Sequence, residues 1–173
     1  LRAVSGEVTG YSHASELSED AIKRAAKTVK SVHAGQGGTI SSPPTGTNSQ
    51  LYVDDNPLSL VDFETKVKLL TDMDAYARSK DERVAQVSAS LSGSWQAIQV
   101  LRPDGVRAAD IRPLVRLNVT VMVAQGDRVE TGSYGAGGRV DYGEYLKQET
   151  WQETVDKALR LALLNLNSVP APA

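Results

Sequence analysis

Val115-Arg116-Leu117-Asn118-Val119-Thr120-Val121-Met122-Val123 places an aliphatic side chain at every odd position and polar ones at 116, 118 and 120. A period of two belongs to a strand that buries one face and leaves the other to water. Slipping its register by one residue would turn five aliphatic side chains to solvent. Each is worth roughly 1.5–3 kcal/mol when buried, so the register is expected to be fixed.

Working outward, the same period recurs on both sides. Ala85, Val87, Ala89 and Leu91 alternate with Gln86, Ser88 and Ser90. Ser92-Gly93-Ser94 then reads as a turn and residues 95–101 as a returning strand. Pro103-Asp104-Gly105 and Gln125-Gly126-Asp127 are turns by composition, the second leading into a strand over residues 128–133. At the start of the chain, residues 1–4 and 7–14 flank Ser5-Gly6, the pattern of a β-hairpin.

Three helices complete the list. Ser18 caps a helix expected over residues 18–34, with Glu19 and Asp20 in its first turn and Ile22, Ala25, Ala26, Val29 and Val32 on one face; Gly35 stops it. A second runs from Asp62 to about Lys80, capped by Ser59 or Asp62, with Phe63, Val67, Leu70, Met73, Tyr76 and Ala77 as its apolar stripe. Thr150 with Glu153 forms a capping box opening a third, whose stripe is Val155, Ala158, Leu159, Ala162, Leu163 and Leu166. The fold class is therefore α+β: an antiparallel meander with about three helices packed on one face, in two layers. Residues 1–168 are expected to form a single domain with a flexible surface loop at about 35–56. Residues 169–173, rich in Pro and Ala, are expected to begin a linker to a further domain.

Composition narrows the function. The 173 residues are 40% apolar, with no cysteine and a net charge of −2. Absence of cysteine removes disulfides, thiolate nucleophiles and thiolate metal sites together. Interspersed charges give no footprint for nucleic acid, and no apolar run approaches a membrane span. A cytoplasmic location is the simplest expectation.

Side chains that could carry chemistry are few. His13 and His33 lack a second His at i+3 or i+4 and are read as structural or surface residues. The acidic pairs Asp54-Asp55 and Asp81-Glu82 are read as solvated ends of elements. Gly132-Ser133-Tyr134-Gly135-Ala136-Gly137-Gly138-Arg139 can form an anion-binding nest, a bend, or a close backbone contact; no strand–loop–helix order accompanies it, which favours the last two. Asp110, Arg112, Arg116, Asn118 and Thr120 mark the polar strand face, either a solvated surface or one that meets a partner or an extended peptide.

Several of these blocks together resemble the TldD half of the TldD/PmbA metallopeptidases. They are Val84-Ala-Gln-Val-Ser-Ala-Ser-Leu-Ser-Gly93, the run from Asp110 to Val121, Gly132-Ser-Tyr-Gly-Ala-Gly-Gly-Arg139, the closing helix and tail from Ala158, and Leu1-Arg-Ala-Val-Ser-Gly6. The resemblance implies a parent protein that is a cytoplasmic zinc-dependent peptidase acting on extended peptides. It implies work with a PmbA- or TldE-like subunit or as a homodimer. The family's His-Glu-x-x-x-His helix and later Cys have no counterpart in this sequence. No catalytic or metal residue is carried over, zinc is expected only in a catalytic domain outside these residues, and the chain alone should be inactive. An accessory role follows, shaping substrate access and dimerisation. Arg112, Arg116, Asn118, Gly137, Gly138 and Arg139 are the candidate contacts to substrate or partner. The alternative is a stand-alone peptide- or partner-binding module without catalytic activity.

Overall fold

The computed structural model describes residues 1–5, 7–32 and 52–169. His33, the stop at Gly35, most of the 35–56 loop and the tail from residue 170 lie outside the described residues. The chain divides into two compact units, Leu1–Thr47 and Asn48–Ala173.

In the first unit, β1 (Arg2–Ser5) and β2 (Val8–Tyr11) pair antiparallel, with Ser5 opposite Val8. Helix α1 (Glu19–Val32) packs on this hairpin. As its sequence suggested, Ser18 Oγ accepts from the Ala21 amide at 3.2 Å. The buried face of α1 is Ala21, Ala25 and Val29, whereas Ile22 is 52% exposed. Ala25 and Val29 are buried as expected, but Ala21 takes the place expected of Ile22 and Ala26 is exposed.

The second unit holds β3 (Val84–Leu101), β4 (Arg107–Gln125) and β5 (Arg128–Gly138) in the order β3-β4-β5, all antiparallel. Val115, Leu117, Val119, Val121 and Val123 are all buried, which fixes the register as alternation requires. Helices α2 (Pro57–Leu60), α3 (Phe63–Lys80) and α5 (Gln148–Leu166) contact the sheet, and the short α4 (Gly143–Leu146) contacts α5. The unit is α+β, with the core between the valine face and the two long helices.

Four local readings change. First, Ser92-Gly93-Ser94 is not a turn: β3 runs unbroken through it and pairs with β4 from end to end. A Cβ at Gly93 would collide with the Tyr142 phenol, so glycine there makes room for a neighbour rather than reversing the chain. Second, the register shifts between Val84 and Gln86, a bulge that leaves Ala85 exposed although it continues the alternation. Third, α3 buries Leu69, Met73 and Ala77, while Phe63 is 78% and Val67 45% exposed. Asp62 is its cap, accepting from the Thr65 amide at 2.7 Å, and Ser59 lies in α2 instead. Fourth, Thr150 and Glu153 form no capping box. Helix α5 begins at Gln148, the Thr150 hydroxyl donates to Glu144 (3.3 Å), and Glu153 pairs with Lys157 (2.8 Å).

Candidate functional site

Because side chains alternate along a strand, the face of the sheet opposite the valines is fixed by register. Three rows cross it: Ser92–Arg116–Gly137, Ser90–Asn118–Gly135 and Ser88–Thr120–Ser133. The serines, Arg116, Gly135 and Gly137 are exposed; Asn118 and Thr120 are half-buried. Side chains here are short, so the floor is nearly flat and the backbone of β5 is open to solvent at its glycines.

Two hydrogen bonds between side chains organise the floor, and Ser92 Oγ also donates to the Arg116 carbonyl at 3.4 Å. Arg116 Nε donates to Asn118 Oδ1 at 2.8 Å. Thr120 Oγ1 and Ser133 Oγ lie 2.8 Å apart across the strands. Gly135 is what lets the first pair lie down: a Cβ there would come 2.5 Å from Asn118 Oδ1 and 3.4 Å from Arg116 Nη2. Gly137 is constrained differently, since its Cβ would meet the Val115 carbonyl oxygen at 2.7 Å.

Of the six candidate residues, the structure brings together Arg116, Asn118 and Gly137. Arg112 lies further along the same face of β4 and forms an ion pair with Asp110, Nε to Oδ2 2.8 Å. Gly138 is opposite Val115 and faces Tyr145, 3.3 Å from the phenol oxygen to a Cβ built there. Arg139 follows the end of β5 and stacks over Tyr52, 5.2 Å from the ring centre. Gly135 was missed; its signal was the i, i+2 spacing with Gly137, which means something only once Asn118 is known to lie opposite.

The glycine-rich segment itself is a paired strand. Among the described residues positive φ occurs only at Gly105 (86°) and Gly126 (60°), both in hairpin turns, so Gly132 to Gly138 do not form the alternating-handed backbone of an anion nest. His13 stacks on Tyr11 with ring centres 6.0 Å apart. Asp81 pairs with Arg83 rather than with a second carboxylate (Arg83 Nη2 to Oδ2 2.7 Å). Among the described residues no three His, Asp or Glu side chains converge in a way that could hold a metal ion. Nor does any described helix have the length and apolarity to cross a membrane.

Comparison with known proteins fits this arrangement. Residues 56–166 match the family model described as PmbA/TldA metallopeptidase central domain. The chain is 38% identical over its whole length to a metalloprotease TldD homolog of Buchnera aphidicola (subsp. Schizaphis graminum), and 38% identical to one of Haemophilus influenzae. It spans 37% of the length of each. Among solved structures, a protein described as a modulator of a DNA gyrase from Thermotoga maritima superposes with TM-score 0.72 at 16% identity, over 99% of this chain and 38% of that one. TldE from Thermococcus kodakarensis superposes with TM-score 0.70 at 20% identity, over 98% of this chain and 38% of that one. These two likenesses concern the fold. The match over residues 56–166, the unit built on the serine- and glycine-floored sheet, together with the two full-length sequence likenesses, means that the chain belongs to the PmbA/TldD family of metallopeptidases.

Proposed function

We propose that this chain is the accessory portion of a TldD-like zinc metallopeptidase, shaping the access of extended peptides to a metal centre carried elsewhere and taking part in subunit pairing. The observation that carries the reading is the likeness, over the whole chain, to proteins named metalloprotease TldD of which it spans 37%. On this reading the metal and its chemistry belong to the remainder of the parent. The parent acts on peptides or unfolded proteins in the cytoplasm, as a homodimer or beside a TldE-like subunit. The fold shared with a TldE supports that partner class. For the sheet, two routes of contact are open: its exposed edges, which accept an extended chain by added-strand pairing, and its flat polar face.

The test uses the full-length protein, alone and mixed with a TldE-type subunit. Peptide hydrolysis is expected, lost on chelation and restored by zinc. Failure to cleave any unstructured peptide in either form would sink the peptidase reading. Arg116→Ala is expected to lower turnover several-fold without unfolding the protein. If assembly and turnover are both unchanged in that variant, Arg116 has no part in substrate or partner contact.

A further inference from the structure

An arginine on a solvated sheet face ordinarily finds a carboxylate across the strand. Arg116 does not. Its direct neighbours are Ser92 and Gly137, and the diagonal ones include Ser90, Ser94 and Gly135. The only hydrogen bond its side chain makes among the described residues runs from Nε to Asn118 Oδ1, while its carbonyl accepts from Ser92 Oγ at 3.4 Å. The one carboxylate further along that face of β4, Asp110, is already held by Arg112. Among the described residues, Arg116 therefore presents the two terminal nitrogens of its fork with no protein anion bonded to them.

The fork is also held in place. Asn118 fixes one edge of the guanidinium, and the missing side chain at Gly135 leaves room for Asn118 Oδ1, which a Cβ there would press on while only touching Arg116 Nη2. An arginine oriented in this way has less rotamer freedom to lose when it engages a planar, two-oxygen anion. A phosphate-rich ligand is a poorer match, because the surrounding rows are serine and glycine and supply no second cation. A second copy of the same face is poorer still, since a two-fold contact centred here would set Arg116 against itself.

We infer that Arg116, oriented by Asn118 above Gly135, is a seat for a carboxylate carried by an extended peptide laid along the outer face of the sheet. The serine hydroxyls on β3 and the open glycine backbone of β5 supply neutral hydrogen-bonding groups on either side of the charge. The inference rests on the peptidase reading for the claim that extended peptides reach this face, and it adds a preference for acidic ones.

The intact protein is titrated with four fluorescent peptides of one length, unstructured and otherwise uncharged. They carry Glu or Gln at the centre and a free or amidated C-terminus. At low salt the Glu peptide is expected to bind about three- to ten-fold tighter than the Gln peptide when both are amidated. Arg116→Gln abolishes that advantage, and Gly135→Ala, which keeps the charge but displaces the seat, reduces it; far-UV dichroism and melting check that both variants fold. A preference that follows the free terminus rather than Glu identifies the terminal carboxylate as the group seated. Equal affinity for all four peptides, no binding of any, or a preference that survives Arg116→Gln overturns the inference. Cleavage is read in the same samples. Acid-dependent binding without hydrolysis defeats the peptidase reading and leaves the seat, whereas hydrolysis with no acidic preference defeats the seat alone.

Discussion

At Gly132 the backbone of β5 meets the backbone of α5 with no side chain between them; a Cβ there would collide with the Ala158 carbonyl and the Ala162 amide. The two alanines and the glycine form one close contact, and Gly132→Val is expected to cost about 2–4 kcal/mol, read as a lowered midpoint in urea with the secondary structure retained. Asp81 offers a second prediction. Both oxygens of its carboxylate accept from the Arg83 guanidinium (2.9 and 2.7 Å), and the Arg83 amide adds a third bond at 3.0 Å. The guanidinium hydrogen bonds, then the amide, hold the Asp81 pKa at about 2, down from 3.8. Because the folded-state pKa is depressed, the stabilisation is complete above the ordinary carboxylate range and is lost as pH falls through about 2. Asp81→Asn is expected to cost about 1–2 kcal/mol near neutrality, with the gap to the parent closing in strong acid. At this scale the sequence was legible where a residue acts on its own neighbours, as Ser18 and Asp62 do at their helices. It was not legible where a glycine serves a partner far along the chain: Gly93 clears Tyr142 and Gly132 clears α5, and neither partner can be read from local spacing.

Among the elements, β4 was readable because burial on one face imposes strict alternation, and the two hairpin turns because Gly105 and Gly126 need positive φ. The length of β3 was hidden by a Ser-Gly-Ser run that has the composition of a turn and the geometry of a strand. The candidate face was half legible: Arg116 and Asn118 lie on one strand, but their relation to Gly135 depends on the β4–β5 register. Another cross-element contact lies at the end of α5. Arg128, at the start of β5, donates to the carbonyls of Ser168 (2.9 Å) and Asn165 (2.8 Å), placing a cation where the helix presents its free carbonyls. Arg128→Ala is expected to fray the last turn of α5 at a cost of about 1 kcal/mol, visible as faster amide exchange over residues 163–168. The unequal strands make a further prediction. Strand β5 pairs no further than Val115, so the ends of β3 and β4 beyond it continue as a two-stranded ribbon. Amides over residues 98–110 are expected to exchange at least about ten-fold faster than those over 116–123. Equal protection would mean that another strand or partner covers the ribbon in solution.

For the whole molecule, every strand of the larger unit pairs with its neighbour in sequence. No strand waits for a distant strand, and such a meander can form progressively from its first hairpin. The layer that seals the apolar face arrives late, because Val155, Ala158, Leu159 and Ala162 lie on the last element of the unit. During synthesis at about 5–20 residues per second, roughly two to nine seconds separate Val123 from Leu166. For that interval the five aliphatic side chains of β4 are covered on one side at most, by α3. The nascent chain is then a sheet with an unsealed oily face, and its yield in the cell depends on how quickly that face is shielded as much as on the stability finally reached.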